Sequence, residues 1–165
     1  MKRGGPFKRR TPLRRFSPLR AKAQSLGLRR SKTPGQYKKR LWAIFSEYIR
    51  RKYADESGFV TCVTCGNRLP WKEAHAGHYI AKSLGSAIYF EERNVHPQDA
   101  ACNLWRHGNL TAYALYLLKT YGPTILDELD ALRRTQTQLR EPWYLEQIDA
   151  YKRKLDDLEA KQKAA

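Results

Sequence analysis

The sequence predicts a single α+β domain, a small metal-clamped core wrapped by helices, with a basic arm in front. Three observations predict it. All three cysteines and three of the four histidines fall between Cys62 and Asn103, and thiolates and imidazoles gathered so closely signal metal. Short β-branched and aromatic runs in and beside that stretch read as strands. On both sides of it, apolar residues recur every three or four positions, the period of a helix buried along one face.

A chain of 165 residues can hold one modest domain plus tails. Its 32 Lys and Arg against 16 Asp and Glu leave a formal charge of +16. Such an excess points to a polyanionic partner, DNA or RNA first and an anionic membrane second. No apolar run approaches the ~18 residues that span a bilayer. The basic N-terminus lacks the apolar stretch of a signal peptide. A Cys-x-x-Cys pair fits a metal clamp in a reducing cytoplasm better than a disulfide framework. Three unrelated core cysteines are the plainer alternative.

Residues 1–32 carry twelve Lys and Arg and no acidic residue. Phe7, Leu13, Phe16, Leu19, Leu26 and Leu28 are too few to offset the ordering entropy of such a stretch, so it reads as a disordered basic arm. Arg9, Arg10, Arg14 and Arg15 would then contact phosphate. A solubilising tail is the alternative; prolines at 6, 12 and 18 argue against an amphipathic targeting peptide.

Thr33 can cap a helix with Pro34 at its first position. Tyr37, Leu41, Trp42, Ile44, Phe45, Tyr48, Ile49 and Tyr53 follow at helical spacing. The opposite face carries Lys38, Lys39, Arg40, Arg50, Arg51 and Lys52, which serve either as a solvated face or as phosphate contacts. Asp55 to Gly58 ends the helix. Phe59-Val60-Thr61 is a short strand into Cys62, and Gly66-Asn67 is the turn behind Cys65. His78 sits on a strand, Ser83 to Ser86 is a loop, and Ile88-Tyr89-Phe90 is a second strand. Cys102 and Asn103 start a helix. Gly108-Asn109 is a turn, Thr111 to Tyr121 a helix closed by Gly122 and Pro123, and Thr124 to Arg134 another. Glu141-Pro142 opens a last helix to about Lys161. Its alternating charges suit a helix packed on the domain or paired with a second copy in a homodimer. The chain thus divides into the arm (1–32), the core domain (33–135) and the C-terminal helix (136–165).

A structural zinc site needs four N, S or O ligands in a tetrahedron. Cys62 and Cys65 form one complete clip; Asp99-x-x-Cys102 forms the other, with Asp99 as a harder oxygen ligand. His96 or His107 could take the fourth place instead. His75 and His78 could also join Cys62 and Cys65 in a short zinc finger, which would make the protein a binder. Asn103, directly after the last cysteine, has no purpose in a finger.

At these residues the sequence resembles a family. Cys62-x-x-Cys65, Ala76-Gly77-His78-Tyr79-Ile80, Arg93-Asn94-Val95-His96-Pro97-Gln98 and Cys102-Asn103 look like the phage NinG/Rap recombination proteins. The match runs on through Gly108-Asn109, Tyr113-Ala114 and Tyr121-Gly122-Pro123 to Leu129, covering roughly 41–132. More distantly the layout is similar to HNH nucleases and to the T-even phage endonuclease VII. The resemblance implies a zinc-clamped ββα-metal (HNH-like) core. It places His78 where such enzymes keep the general base, Asn94 where they brace the loop carrying that base, and Asn103 where they bind the catalytic cation. It implies Zn2+ in the clamp, Mg2+ or Mn2+ in the site, and a bacterial host cytoplasm for a phage- or prophage-encoded protein. Two positions depart from the pattern. Gly77 stands where Asp or His usually ligates the cation, so His75, Glu73 or His96 would have to replace it. Asp99 stands where the family keeps a cysteine.

The chemistry is consistent with this. Phosphodiester hydrolysis needs an aligned water, a base near neutral pKa and a cation on the leaving oxygen, roles suited to histidine and a divalent metal. The leading expectation is a metal-dependent endonuclease on branched recombination intermediates such as Holliday junctions. The rival is a noncatalytic zinc protein that binds DNA and assists recombination or annealing. A basic RNA-associated zinc protein would fit the charge but not His78 with Asn103.

Overall fold

The computed structural model describes Lys22, Ser25 and Leu26 of the first 33 residues, then residues 34–135 and 137–164. Helix α1 (Pro34–Lys52) buries Tyr37, Leu41, Phe45 and Ile49 along one face. Arg50, Arg51 and Lys52 fill its last turn, where cations complement the helix dipole. Two short antiparallel strands follow, β1 (Phe59–Thr61) and β2 (Arg68–Pro70), with Val60 opposite Leu69. A second antiparallel pair, β3 (His75–His78) and β4 (Val95–Gln98), sets His75 opposite Gln98 and Gly77 opposite His96. Then come a five-residue π-helical turn (Ala101–Trp105) and helices α2 (Leu110–Tyr121), α3 (Ile125–Arg134) and α4 (Glu141–Ala164). The architecture is α+β: helices around two small sheets. No helix among the described residues is long and apolar enough to cross a membrane.

Among the described residues, two apolar cores hold the sheets. One joins α1 to α4 through Phe45, Ile49, Leu145 and Ile148, with Phe45 edge-on to Tyr151 at 5.0 Å. The other joins α2 to α3 through Tyr113, Leu117, Ile125 and Leu129. Truncating a residue such as Phe45 would cost about 3–5 kcal/mol. Glu92 ties the first core to the sheet: Lys52 (2.9 Å), Lys154 (2.5 Å) and the Tyr151 hydroxyl (3.1 Å) all donate to its carboxylate. Glu92 opens the 3-10 turn (Glu92–Asn94) that leads into β4, so α1 and α4 together position Asn94.

The structure differs from expectation in three places. Ile88-Tyr89-Phe90 is a turn, not a strand; Ile88 enters the α2–α3 core and Phe90 the α1–α4 core. Its alternation is real, but β3 is already paired with β4, where the sequence suggested only a lead-in to the metal clamp. Cys102 and Asn103 lie in the π turn instead of opening a long helix. That turn closes because His107, Gly108 and Asn109 all take positive φ, at 49°, 85° and 47°, after which α2 begins afresh. Within the stretch read as an arm, Leu26 is buried in the α1–α4 core, its carbonyl accepting from Lys152 at 2.9 Å. Thr33, Arg9, Arg10, Arg14 and Arg15 lie outside the described residues.

Candidate metal centre and adjoining cleft

The first site is a knuckle closed by backbone bonds. Cys62 N–H donates to the Asn67 carbonyl (2.8 Å) and Gly66 N–H to the Cys62 carbonyl (2.9 Å). Gly66 adopts φ 77°, a left-handed value that a glycine takes without strain. Val63 N–H donates to the Pro97 carbonyl at 3.1 Å, which fastens the knuckle to β4. The π turn brings Cys102 in from the other side. The sulfurs of Cys62, Cys65 and Cys102 then lie within 4.8 Å of one another.

Three sulfurs so close are electrostatically primed for a cation. Burial raises the Cys62 thiol, but the Thr64 hydroxyl and the N–H groups of Asp99, Thr64 and Cys65 outweigh it and bring Cys62 down to about 7. Burial and the neighbouring sulfurs push Cys65 up to about 11, against an opposing Asn67 N–H. One thiolate therefore forms readily and the next is resisted, a conflict that a bound metal removes.

Asp99 is elsewhere occupied. Its Oδ1 accepts from Cys102 N–H at 3.0 Å and its Oδ2 from Asn67 Nδ2 at 3.0 Å. Those donors hold its carboxyl below the usual range. Among the described residues the ligand cluster comprises the three sulfurs and no carboxylate, so Asp99 shapes the clamp by capping the π turn. His96 is fully buried, with its ring nitrogens on the Tyr113 and Tyr121 hydroxyls at 3.0 and 2.9 Å. Burial, helped by the Lys52 charge, pushes it down to about 3. It belongs to an aromatic cage and joins neither site. His107 is exposed and Glu73 is exposed.

Beside the clamp lies an open cleft of about 520 Å³ lined by Trp42, Arg50, His75, His78, Lys82 and Asn103 among others. The sequence expectations converge here for His75, His78 and Asn103. Asn103 Nδ2 donates to His75 Nδ1 at 2.9 Å, so His75 orients the Asn103 amide and spends Nδ1 doing so. His78 Nε2 lies 3.0 Å from the Tyr89 carbonyl. A carbonyl only accepts, so Nε2 carries the proton and Nδ1 is left basic. The His78 ring stacks on Trp42, 5.1 Å between centroids and 24° between planes. Burial lowers its pKa below 6.5, the Lys82 charge adds to the effect, and the Tyr89 carbonyl opposes it.

Asn94 is fully buried. Its Oδ1 accepts from Ile80 N–H (2.8 Å), and its Nδ2 donates to the carbonyls of Ile80 (2.9 Å) and Ile88 (3.3 Å). It thereby clamps both ends of the loop between His78 and Tyr89. Lys38 stacks on the Tyr89 ring, its Nζ 3.9 Å from the centroid; Lys39 and Arg40 are exposed on the same helix.

From sequence, Lys82 was missed as a cleft residue, while Arg50 belonged to the basic face of α1, read as solvated or phosphate-binding, and Trp42 to the core. A signal was present: Trp42, Ser46 and Arg50 recur every four residues, which puts them on one face of α1, and all three line the cleft. Arg50 is held there by the carbonyls of Lys72 (3.4 Å) and Ala74 (3.5 Å). Lys82 lies over the Trp42 ring at 5.6 Å.

Comparison with known proteins follows the same residues. The family model described as "Bacteriophage Lambda NinG protein" matches residues 12–161. Relatives called "Protein ninG" in Salmonella phage P22 and Escherichia phage lambda are each 31% identical over 115 residues, covering 67% of this chain and 52% of theirs. The one in Escherichia phage 933W shows the same identity and coverage. The chain thus spans about half the length of the curated relatives it matches. No solved structure matches it. By sequence over nearly its whole length, this chain belongs to the NinG family of bacteriophage proteins.

Proposed function

We propose that the chain is a metal-dependent DNA endonuclease acting on branched recombination intermediates such as Holliday junctions or D-loops, built on an HNH-like ββα core. One observation carries the reading: the His78 proton is committed to the Tyr89 carbonyl, which leaves Nδ1 as the basic nitrogen of a residue that lines a cleft together with Asn103. A base must be unprotonated at working pH, and burial keeps His78 so. It takes the proton from a water whose oxygen bonds to phosphorus while the opposite P–O bond breaks and the leaving oxygen departs with its electron pair. Asn94 holds the loop that supplies the tether, and Trp42 fixes the plane of the ring. Such preorganisation is what a hydrolytic site requires. Arg50 and Lys82 bring positive charge to the cleft, where a phosphate would lie.

The three-sulfur clamp suits zinc. It would fasten the π turn bearing Asn103 to the knuckle after β1, which Val63 ties to β4, the strand paired with β3 and its His75 and His78. The Asn103 side-chain oxygen is a hard donor that suits Mg2+ or Mn2+, and such a cation would stabilise charge on the leaving oxygen. The setting for this activity is the cytoplasm of the phage's bacterial host.

The test is to incubate zinc-loaded protein with labelled four-way junction and linear duplex, with and without Mg2+ or Mn2+. Metal-dependent cleavage favouring the junction, lost in His78→Ala with DNA binding retained, is the expected result. Tight junction binding with no cleavage under any divalent ion would leave a noncatalytic DNA-binding role.

A further inference from the structure

Gly77 leaves room on β3 for a side chain, and the structure fills that room from the opposite strand, β4. A Cβ built on Gly77 would lie 2.0 Å from Gln98 Oε1 and 3.0 Å from Asn103 Oδ1. The two oxygens are therefore no further apart than about 5 Å. Gln98 is fully buried. Its Nε2 donates to the Gly108 carbonyl at 2.8 Å and to the Thr64 hydroxyl at 3.2 Å. Because the Gly108 carbonyl can only accept, the amide must be turned with nitrogen toward it and oxygen toward Gly77. Among the described residues that oxygen has no hydrogen-bond partner. A buried acceptor left unmet carries a desolvation penalty unless something electropositive meets it.

We propose that Gln98 Oε1 and Asn103 Oδ1 together hold the divalent cation of the cleft, Gln98 taking the place that a side chain at position 77 would otherwise occupy. This rests on the nuclease reading for its purpose, but the cation site stands on its own geometry. Both donors are neutral amide oxygens, which suit a hard, oxygen-seeking cation such as Mg2+ or Mn2+. Neither brings charge, so the site binds weakly until a phosphate oxygen joins it. Gly77 follows from the same geometry: any Cβ there would collide with Gln98 Oε1. The far side of the Gln98 amide reaches the other metal centre. Thr64 accepts from Gln98, so its hydroxyl proton is free to point at Cys62 Sγ, 3.3 Å away. One side chain thus sits between the sulfur clamp and the cation.

The experiment measures Mn2+ affinity of the zinc-loaded full chain, alone and with an uncleavable phosphorothioate junction, by loss of the free-ion EPR signal. Zinc content and melting temperature are followed in parallel. Gln98→Ala is expected to weaken Mn2+ binding about tenfold or more. Because Gln98 is buried, Gln98→Ala could unfold, so a paired variant, Gly77→Asp with Gln98→Ala, moves the oxygen to the other strand and adds charge. It is expected to bind Mn2+ at least as tightly as the parent. Unchanged Mn2+ affinity in folded Gln98→Ala overturns the proposal, as does failure of the folded paired variant to bind Mn2+. If the parent cleaves junctions but Mn2+ affinity ignores Gln98, the nuclease reading survives and this inference fails. If Mn2+ affinity depends on Gln98 but no DNA is cut, the cation site stands and the nuclease reading fails.

Discussion

The imidazole of His78 and the backbone carbonyl of Tyr89, eleven residues later, meet at 3.0 Å. That contact decides which ring nitrogen keeps its proton and therefore which one can accept another. It exists because Asn94 pins both ends of the intervening loop.

Replacing His78 tests the consequence. His78→Ala should lower junction cleavage by about 10² or more, the usual contribution of a general base, while zinc content stays at about one per chain. In the parent, the cleavage rate should rise with pH and level off, with its midpoint below 6.5, since burial lowers this pKa. A midpoint above 6.5 would mean that His78 is not the base.

Asn94 should be more costly to stability than its size suggests. Asn94→Ala strands one N–H and two carbonyls in a buried region, at a cost of about 3 kcal/mol. Urea unfolding would measure it. Asn94→Asp should be worse, since it turns two donated bonds into carboxylate–carbonyl repulsion.

The sulfur clamp makes a separate prediction. Cys65→Ser should lower zinc content and melting temperature together, as should a strong chelator, because metal-binding free energy is folding free energy in such sites. Protein that folds with full stability and no metal would refute the zinc assignment.

His96 predicts how stability depends on pH. Its folded pKa is pushed down to about 3, against about 6.5 in an unfolded chain. Between those values the unfolded state binds a proton that the folded state refuses. Its contribution is therefore present above pH 6.5 and declines as pH falls toward 3, by up to ~1.4 kcal/mol per pH unit. Denaturant melts of the parent and His96→Gln from pH 7.5 to 4.5 should show a shallower slope in the variant.

The basic arm can be tested without disturbing the core if the cut precedes Lys22, because Leu26 is docked. Removing residues 1–20 should weaken DNA binding. It should also reduce the slope of log K against log salt by about 0.9 for each phosphate that the arm had neutralised. An unchanged slope would make the arm a solubilising tail.

What the sequence determined by itself was local. The helices could be placed because a 3.6-residue apolar period, a proline at a first turn and Gly122 at a last one act between near neighbours in the chain. The gathering of Cys62, Cys65 and Cys102 could be read for a similar reason: a Cys-x-x-Cys turn brings two sulfurs together whatever surrounds it. Tertiary structure decided whatever depended on a partner distant in sequence. Ile88 to Phe90 had the alternation of a strand, yet β4 took the place beside β3 and its side chains went to two different cores. His96 looked like a ligand until Tyr113 and Tyr121 closed around it. In the sequence Gln98 was only the last residue of the Arg93-to-Gln98 motif, with no role of its own. The role proposed for it arises from an oxygen with no hydrogen-bond partner among the described residues, a glycine with no side chain on the facing strand, and Asn103 arriving from the next turn. A buried amide is given its meaning by where its unpaired atom points, and only the packed chain decides that.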